Sequence, residues 1–469
     1  MIQLTETQRK LTMLGCYLLM FTVTAFGMSL ATIQEPVLES MNGAETFSLV
    51  TLISSIGMTL MTPVGGRLVD SYGSKKVAVV SCLIAVVAGL LIGIIRVLPV
   101  FIVLRVVLNM ALGTFTTIPY ILAAKINPRD KVSVAFGMLA TMIAVGAFLG
   151  AWLAGFFMDH GLIFLAISFP VLPLAIGLVL IWKNLNEPAP STKMGLDWGG
   201  IIMLSVGMSC VLVALSYGPK VGWFNWWVIA GFMLGVAILI YMYSYESKQK
   251  FALIPTSIMQ SKEYMLLVAI TFCTVFYSIA MSSYLPMEII NVTGNSGQAG
   301  MLQLPKTIVS LFVPAMCGAW VAKKLTNSWK AMALASIFIF VPCVMLIFVG
   351  THMPIWFVWL AVGLTGIGDA YRSVTVTPAA QLLLKPEDLG IGTALIGFFM
   401  SLANTISASI DGIAFDSLQA QFEGLVGMTK GVDTTFLLSA AFALLGLILT
   451  VLFLRPMIES RASKEQAKQ

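Results

Sequence analysis

Charge is what this sequence has least of. Only 10% of its 469 residues are Asp, Glu, Lys or Arg, against about a quarter in a soluble domain. Histidine is nearly missing. His160 and His352 stand alone in expected outer loops, too few to form a ligand set for a metal. All six cysteines (Cys16, Cys82, Cys210, Cys273, Cys317, Cys343) fall inside apolar runs without paired spacing, which argues against a disulfide framework or a zinc site. Nucleophile, base and metal ligands cluster nowhere, so neither an enzyme nor a cofactor is expected. Basic tracts for DNA or RNA are lacking, and the loops are too short for a soluble signalling domain. The N-terminus shows no short apolar core followed by a small-residue cleavage site, so no removable signal peptide is expected.

What is there is apolar. Hydrophobic residues make up 58% of the chain, with a mean hydropathy of +0.94. Runs long enough to cross a bilayer as helices can be read at 11–34, 46–66, 77–96, 98–124, 132–157, 162–182, 198–217, 223–243, 264–290, 300–321, 331–350, 355–382, 390–412 and 433–455. Continuous runs between polar turns favour helices over the alternating strands of a barrel. With the N-terminus inside, inner loops and tails hold 21 of the 27 Lys and Arg, outer loops hold Arg96, Lys220 and Lys430, and Arg105, Lys306 and Arg372 lie within spans. That bias predicts an even number of spans with both termini cytoplasmic. The net charge of +6 is then mostly a topology signal.

The loops repeat. Gly318-Ala319-Trp320-Val321-Ala322-Lys323-Lys324-Leu325 resembles Gly66-Arg67-Leu68-Val69-Asp70-Ser71-Tyr72-Gly73 at an offset of 252 residues, and Pro386-Glu387-Asp388 resembles Pro128-Arg129-Asp130 at 258. Such an offset spans eight helices rather than six. The reading is an all-α membrane protein of two six-helix bundles, 1–183 and 263–469, separated by 184–262, which carries two inserted helices between polar linkers. The linkers are Asn184–Lys193, with Pro188 and Pro190, and Glu246–Lys250.

Against this background the stretch GGRLVDSYGSKK, Gly65 to Lys76, stands out because four of its twelve residues are charged. Through Gly66, Leu68, Asp70, Gly73, Lys75 and Lys76 it resembles the signature G-x-L-x-D-x-x-G-x-K/R-K/R of the major facilitator superfamily, between helices 2 and 3. Leu196-Asp197-Trp198-Gly199-Gly200, Leu215-Ser216-Tyr217-Gly218, Gly222-Trp223 and Gly300-Met301-Leu302-Gln303-Leu304-Pro305 resemble that family's fourteen-helix drug:proton antiporter branch. The resemblance covers essentially the whole chain. It implies a major-facilitator-type fold in a bacterial cytoplasmic membrane, acting as a monomer among lipid. It implies export of small amphiphilic or cationic compounds in exchange for protons, giving multidrug resistance, and a cytoplasmic latch at Asp70 that opens and closes during transport. The plainer reading of that loop is a charge that fixes topology.

Two departures from the family pattern keep a second function open, namely a transporter dedicated to one metabolite, antibiotic or lipid, by export or by proton-coupled uptake. Span 5 carries Gly146, Gly150 and Gly155 at the spacing of the antiporter signature, but Ala151 and Ala154 replace its Pro and Gly. These glycines are also explained by helix packing alone. In span 1 the usual Asp, nine residues before Pro36, is Gly27; the nearest acid is Glu35.

Ionisable residues inside spans mark ion or substrate paths. Arg105, with Asn109 one turn on in span 4, lies where family members carry an Arg associated with proton transfer; a tie to carbonyls is the plainer reading. Asp369 is counted near the midplane of span 12, with Arg372 close enough in sequence for an i, i+3 pair. Glu288 and Lys306 are expected to pair between spans 9 and 10, and Asp411 in span 13 completes the set. The 28 Phe and 28 Met suit an adaptable cavity, though most belong to the membrane-facing and core packing.

Overall fold

A computed structural model describes residues 4–43, 46–187, 197–249, 252–293, 301–324, 326–347, 354–422 and 424–466. Pro188, Pro190, Gly300 and His352 lie outside them, as do the side chains of Glu35 and Asp130.

The described chain is helical. In order come α1 (Glu6–Glu39), α2 (Phe47–Tyr72), α3 (Ser74–Ile94), α4 (Leu98–Phe115), α5 (Ile118–Ile126), α6 (Arg129–Asp159), α7 (Ile163–Ser168), α8 (Val171–Asn184), α9 (Trp198–Val221) and α10 (Trp226–Glu246). There follow α11 (Thr256–Gln260), α12 (Lys262–Val275), α13 (Leu285–Thr293), α14 (Leu304–Ala322), α15 (Asn327–Ile347), α16 (Ile355–Ser373), α17 (Val376–Gln381), α18 (Leu389–Gln421), α19 (Gly424–Leu449) and α20 (Arg455–Gln466).

Among the described residues, 12 helical stretches are long and apolar enough to cross a membrane. Of the fourteen expected spans, the second and twelfth fall outside that set, although α2 and α16 are helices at both places. In α16 Asp369 and Arg372 dilute the hydropathy, and in α2 the side chains of Phe47, Ser48, Leu49 and Leu52 lie outside the described residues.

Several expected spans are broken, and proline accounts for the breaks in spans 4, 6 and 12. Proline has no N–H to continue the helical ladder and crowds the preceding turn. Span 4 divides into α4 and α5 just before Pro119, and span 12 into α16 and α17 just before Pro378. Those prolines are 259 residues apart, close to the offsets of the repeated loops. Span 6 divides at Pro170. Span 9 opens after Val275 and resumes through a π-helical turn, Ala280–Tyr284.

By contact the chain forms two compact units. The first comprises Met1–Val213, Met233–Ile258 and Leu384–Phe398, the second Ala214–Phe232, Met259–Leu383 and Phe399–Gln469. In the first, α1 packs on α6 and α8, α2 on α4, and α3 on α4 and α8, around Phe26, Phe101, Phe115 and Phe136. Backbones touch here. A Cβ at Gly146 would meet the Phe21 carbonyl, and one at Gly150 would lie 2.8 Å from the Ala25 Cα. Gly155 faces open space, so the close backbone approach is at Gly146 and Gly150. The inserted helices meet through Gly235, whose added Cβ would lie 2.7 Å from the Gly207 carbonyl. Ile229, Met233, Leu234, Ile240 and Tyr241 of α10 are exposed, as suits a lipid-facing helix. In the second unit α15 packs on α16 and α19, and α14 on α16, with Tyr277 and Phe436 fully buried.

Candidate functional site

In the second unit Lys306, Arg372 and Tyr277 gather around one carboxylate. Asp369 stands a turn before the end of α16, and its Oδ1 lies 2.7 Å from Arg372 Nη2, the i, i+3 pair expected from sequence. Its Oδ2 lies 2.7 Å from Lys306 Nζ, in the first turn of α14. Tyr277 donates its hydroxyl to the same Oδ2 at 2.7 Å and accepts from Lys306 Nζ at 2.9 Å. Lys306 and Asp369 keep about a quarter of their side chains exposed and Arg372 a tenth. Two cations, one anion and one phenol therefore form a closed set in which each charge has a partner, the condition for keeping ions in a low-dielectric interior.

The break in span 9 builds this set. Where the helix opens after Val275, the Thr274 carbonyl accepts Arg372 Nη1 at 2.9 Å and the Phe276 carbonyl accepts Ser407 Oγ at 2.5 Å. Carbonyls freed from a helix within a membrane protein must be satisfied by neighbours. The opening turns them toward the cluster, and the following π-helical turn is of the kind often found at functional sites.

Glu288 does not pair with Lys306. The π-helical turn adds a residue to the helix, which rotates everything beyond it by about 100°. Glu288 is completely buried, and neither carboxyl oxygen has a hydrogen-bond partner among the described residues. Lys306 instead reaches Asp369, although counting along the spans put the two at different depths. Asp411 is equally buried, with Ser407 Oγ 2.9 Å from its Oδ2 and Oδ1 unpartnered.

The first unit is built differently. Arg105 of α4 is 7% exposed, and its Nη2 donates to Gln34 Oε1 at 3.1 Å. Gln34 Nε2 donates in turn to Thr51 Oγ1 at 2.7 Å. Nε and Nη1 of Arg105 lack hydrogen-bond partners. Asn109, expected on the arginine's face, donates to the Arg105 backbone carbonyl at 2.9 Å, so it braces the helix.

At the signature stretch the two oxygens of Asp70 accept the backbone N–H groups of Gly390 and Ile391, each at 2.8 Å. A carboxylate thereby caps the first turn of α18 from 320 residues away, where the helix dipole favours negative charge. Gly66 allows the approach, since an added Cβ would lie 2.6 Å from the Gly390 carbonyl. Gly73 turns the chain between α2 and α3 with φ +87°, a conformation that favours glycine. The Lys75 backbone N–H donates to Glu187 Oε2 at 3.0 Å, and Lys76 is exposed.

Sequence reading missed Gln34, Tyr277 and Thr274. Gln34 and Tyr277 carried a usable signal: a buried amide or phenol inside an apolar run needs a partner. Thr274 acts through its carbonyl, which no side-chain pattern reveals.

The chain matches the Major Facilitator Superfamily over residues 14–408. It is 22% identical over 410 residues to Multidrug resistance protein 3 of Bacillus subtilis (strain 168), covering 85% of this chain and 78% of that one. To Multidrug transporter protein MdtP of the same organism it is 22% identical over 458 residues, covering 92% and 82%. Its fold is similar to that of the proton:xylose symporter XylE bound to 6-bromo-6-deoxy-D-glucose, with a TM-score of 0.65, 11% identity and 95% of each chain covered. Because the superfamily match runs through most of its length, the chain belongs to the Major Facilitator Superfamily and is an integral membrane transporter of small molecules.

Proposed function

We propose that the protein is a proton-driven exporter of amphiphilic or cationic compounds, with fourteen spans arranged as two six-helix bundles and an inserted pair. It works by alternating access as a monomer in a bacterial cytoplasmic membrane, with both termini inside. The observation that carries this reading is the Asp369–Lys306–Arg372–Tyr277 cluster, costly to hold among apolar helices unless solute or ion movement uses it. The names of the two Bacillus relatives support the substrate class.

Within this reading the carboxyls divide their work. Asp369, between two cations, stays an anion and answers to substrate charge. Glu288 and Asp411 have no cation at hand among the described residues, and an uncompensated carboxylate there is expensive, so these take up and release the proton. Ser407 donates to Asp411 Oδ2 at 2.9 Å, which leaves the buried Oδ1, unpartnered among the described residues, to carry the proton. Asp70 serves as the latch, holding the first turn of α18 in one state and releasing it in the other.

A dedicated carrier for one metabolite, antibiotic or lipid is the second reading. Gly27, which stands where relatives place their span 1 Asp, has nothing within 4 Å of an added Cβ and offers no substitute acid. Purified protein in vesicles with an imposed pH gradient, screened against cationic dyes and antibiotics, separates the two. The exporter moves several dissimilar cations against protons; movement of a single compound, or none that depends on the gradient, contradicts it.

A further inference from the structure

Arg67 is a second buried cation of the first unit. It sits one turn before Asp70 on α2, is 3% exposed, and among the described residues leaves Nε and Nη1 without hydrogen-bond partners. Three carboxyls, Asp70, Asp388 and Glu246, lie within Coulombic reach of it. Asp70 is committed, since both its oxygens hold backbone N–H groups of α18. Asp388 is only half-buried, just before α18.

Glu246 is the last residue of the second inserted helix and, like Arg67, is 3% exposed. Its Oε2 accepts the Ile254 N–H at 3.1 Å, which ties down the chain leaving α10. Its Oε1 is buried and unpartnered. Beside it, Asp197 caps the first inserted helix, Oδ1 accepting the Gly200 N–H at 3.0 Å, while its Oδ2 is buried and unpartnered too. Tyr245 donates to that Oδ1 at 3.4 Å. Gly200 makes the room: a Cβ there would meet Oε1 of Glu246 and lie 2.8 Å from Oδ2 of Asp197. The ends of the inserted helices thus present two acceptor oxygens without donors, and α2 presents two donors without acceptors. A buried polar group left unmade is costly, and one contact between Arg67 and Glu246 relieves both sides.

We propose that Arg67 is a positioning residue that docks the inserted helix pair onto the α2–α3 turn by closing on Oε1 of Glu246, with Asp388 as the competing anion. The inserted pair then takes part in the conformational cycle, because the same stretch of α2 holds α18 through Asp70.

The test is a double-mutant cycle on the purified full-length protein with Arg67→Gln, Glu246→Gln and the pair. Thermal unfolding is read first, then turnover and KM for a cationic dye in vesicles. Each single variant lowers the unfolding temperature, and the pair lowers it no further than the worse single. Turnover falls in the singles, roughly tenfold if the contact is worth one decade in rate, while KM stays put. Exchanging the charges, Arg67→Glu with Glu246→Arg, recovers part of both, which restored packing alone would not do. Additive losses in the pair, a Glu246→Gln protein indistinguishable from wild type, or a charge exchange worse than either single would overturn the proposal. Should Glu246→Gln fail to fold, Glu246→Asp and Arg67→Lys enter the same cycle. Unfolding needs no substrate, so this result stands apart from the fate of the exporter reading.

Discussion

Two of the buried arginines, Arg372 and Arg105, solve the same problem in opposite ways. Around Arg372 the second unit places a carboxylate at 2.7 Å, a lysine and a phenol. Around Arg105 the first unit places a neutral amide at 3.1 Å and leaves two guanidinium nitrogens unpartnered. The first unit brings backbones into direct contact as well, with Gly146 and Gly150 of α6 against Phe21 and Ala25 of α1. A region held by interdigitated backbones is expected to be stiff, since packed interiors transmit strain. One held by exchangeable ion pairs can change partners. In the proposed exporter that difference gives ion and substrate chemistry to the second unit and a supporting role to the first.

Removing the anion should break the comparison most severely. Asp369→Asn leaves Lys306 and Arg372 facing each other without compensation, and losing one partner of a buried ion set costs ~3–5 kcal/mol. A large drop in unfolding temperature with complete loss of transport is expected; Lys306→Met in the same protein restores part of the stability and none of the transport. A smaller effect comes from Gly150→Ala, whose methyl would push on the Ala25 backbone at about 1–3 kcal/mol, typical of overpacking. Gly155→Ala, in open space, should stay within about 0.5 kcal/mol, and thermal unfolding of the pair checks both. The smallest change is Gln34→Glu, which gives Arg105 the anion it lacks and makes the first site resemble the second. A hydrogen bond to a charged partner exceeds a neutral one by roughly 1 kcal/mol, so a slight gain in unfolding temperature is expected, with transport little altered.

Much of this arrangement was legible in the sequence for a definite reason. Apolar run length reports helices long enough to span, because placing polar groups in hydrocarbon is costly. The Asp369–Arg372 pair was readable because helical spacing puts i and i+3 on one face. The pairing of Lys306 with Asp369 rather than Glu288 was not readable from the spans. Neither proline nor glycine lies at the opening near Phe276 and Tyr277, and the π-helical turn that rotates Glu288 away leaves no local mark. The twelfth span shows the converse: Pro378 signals its break, but only the matching break at Pro119 reveals that the kink belongs to the repeat. The unpartnered side chains at Arg67, Glu246 and Glu288 were invisible, since being unpartnered is a property of neighbours distant in sequence.

The account turns on separate duties for Asp369 and Glu288, and proteoliposomes carrying single variants measure that directly. Dye exchange without a pH gradient is compared with dye movement driven by one. Glu288→Gln should keep the gradient-free exchange and lose the driven component, while Asp369→Asn should lose both. Undiminished proton-driven movement in Glu288→Gln, or preserved exchange in Asp369→Asn, would contradict the division.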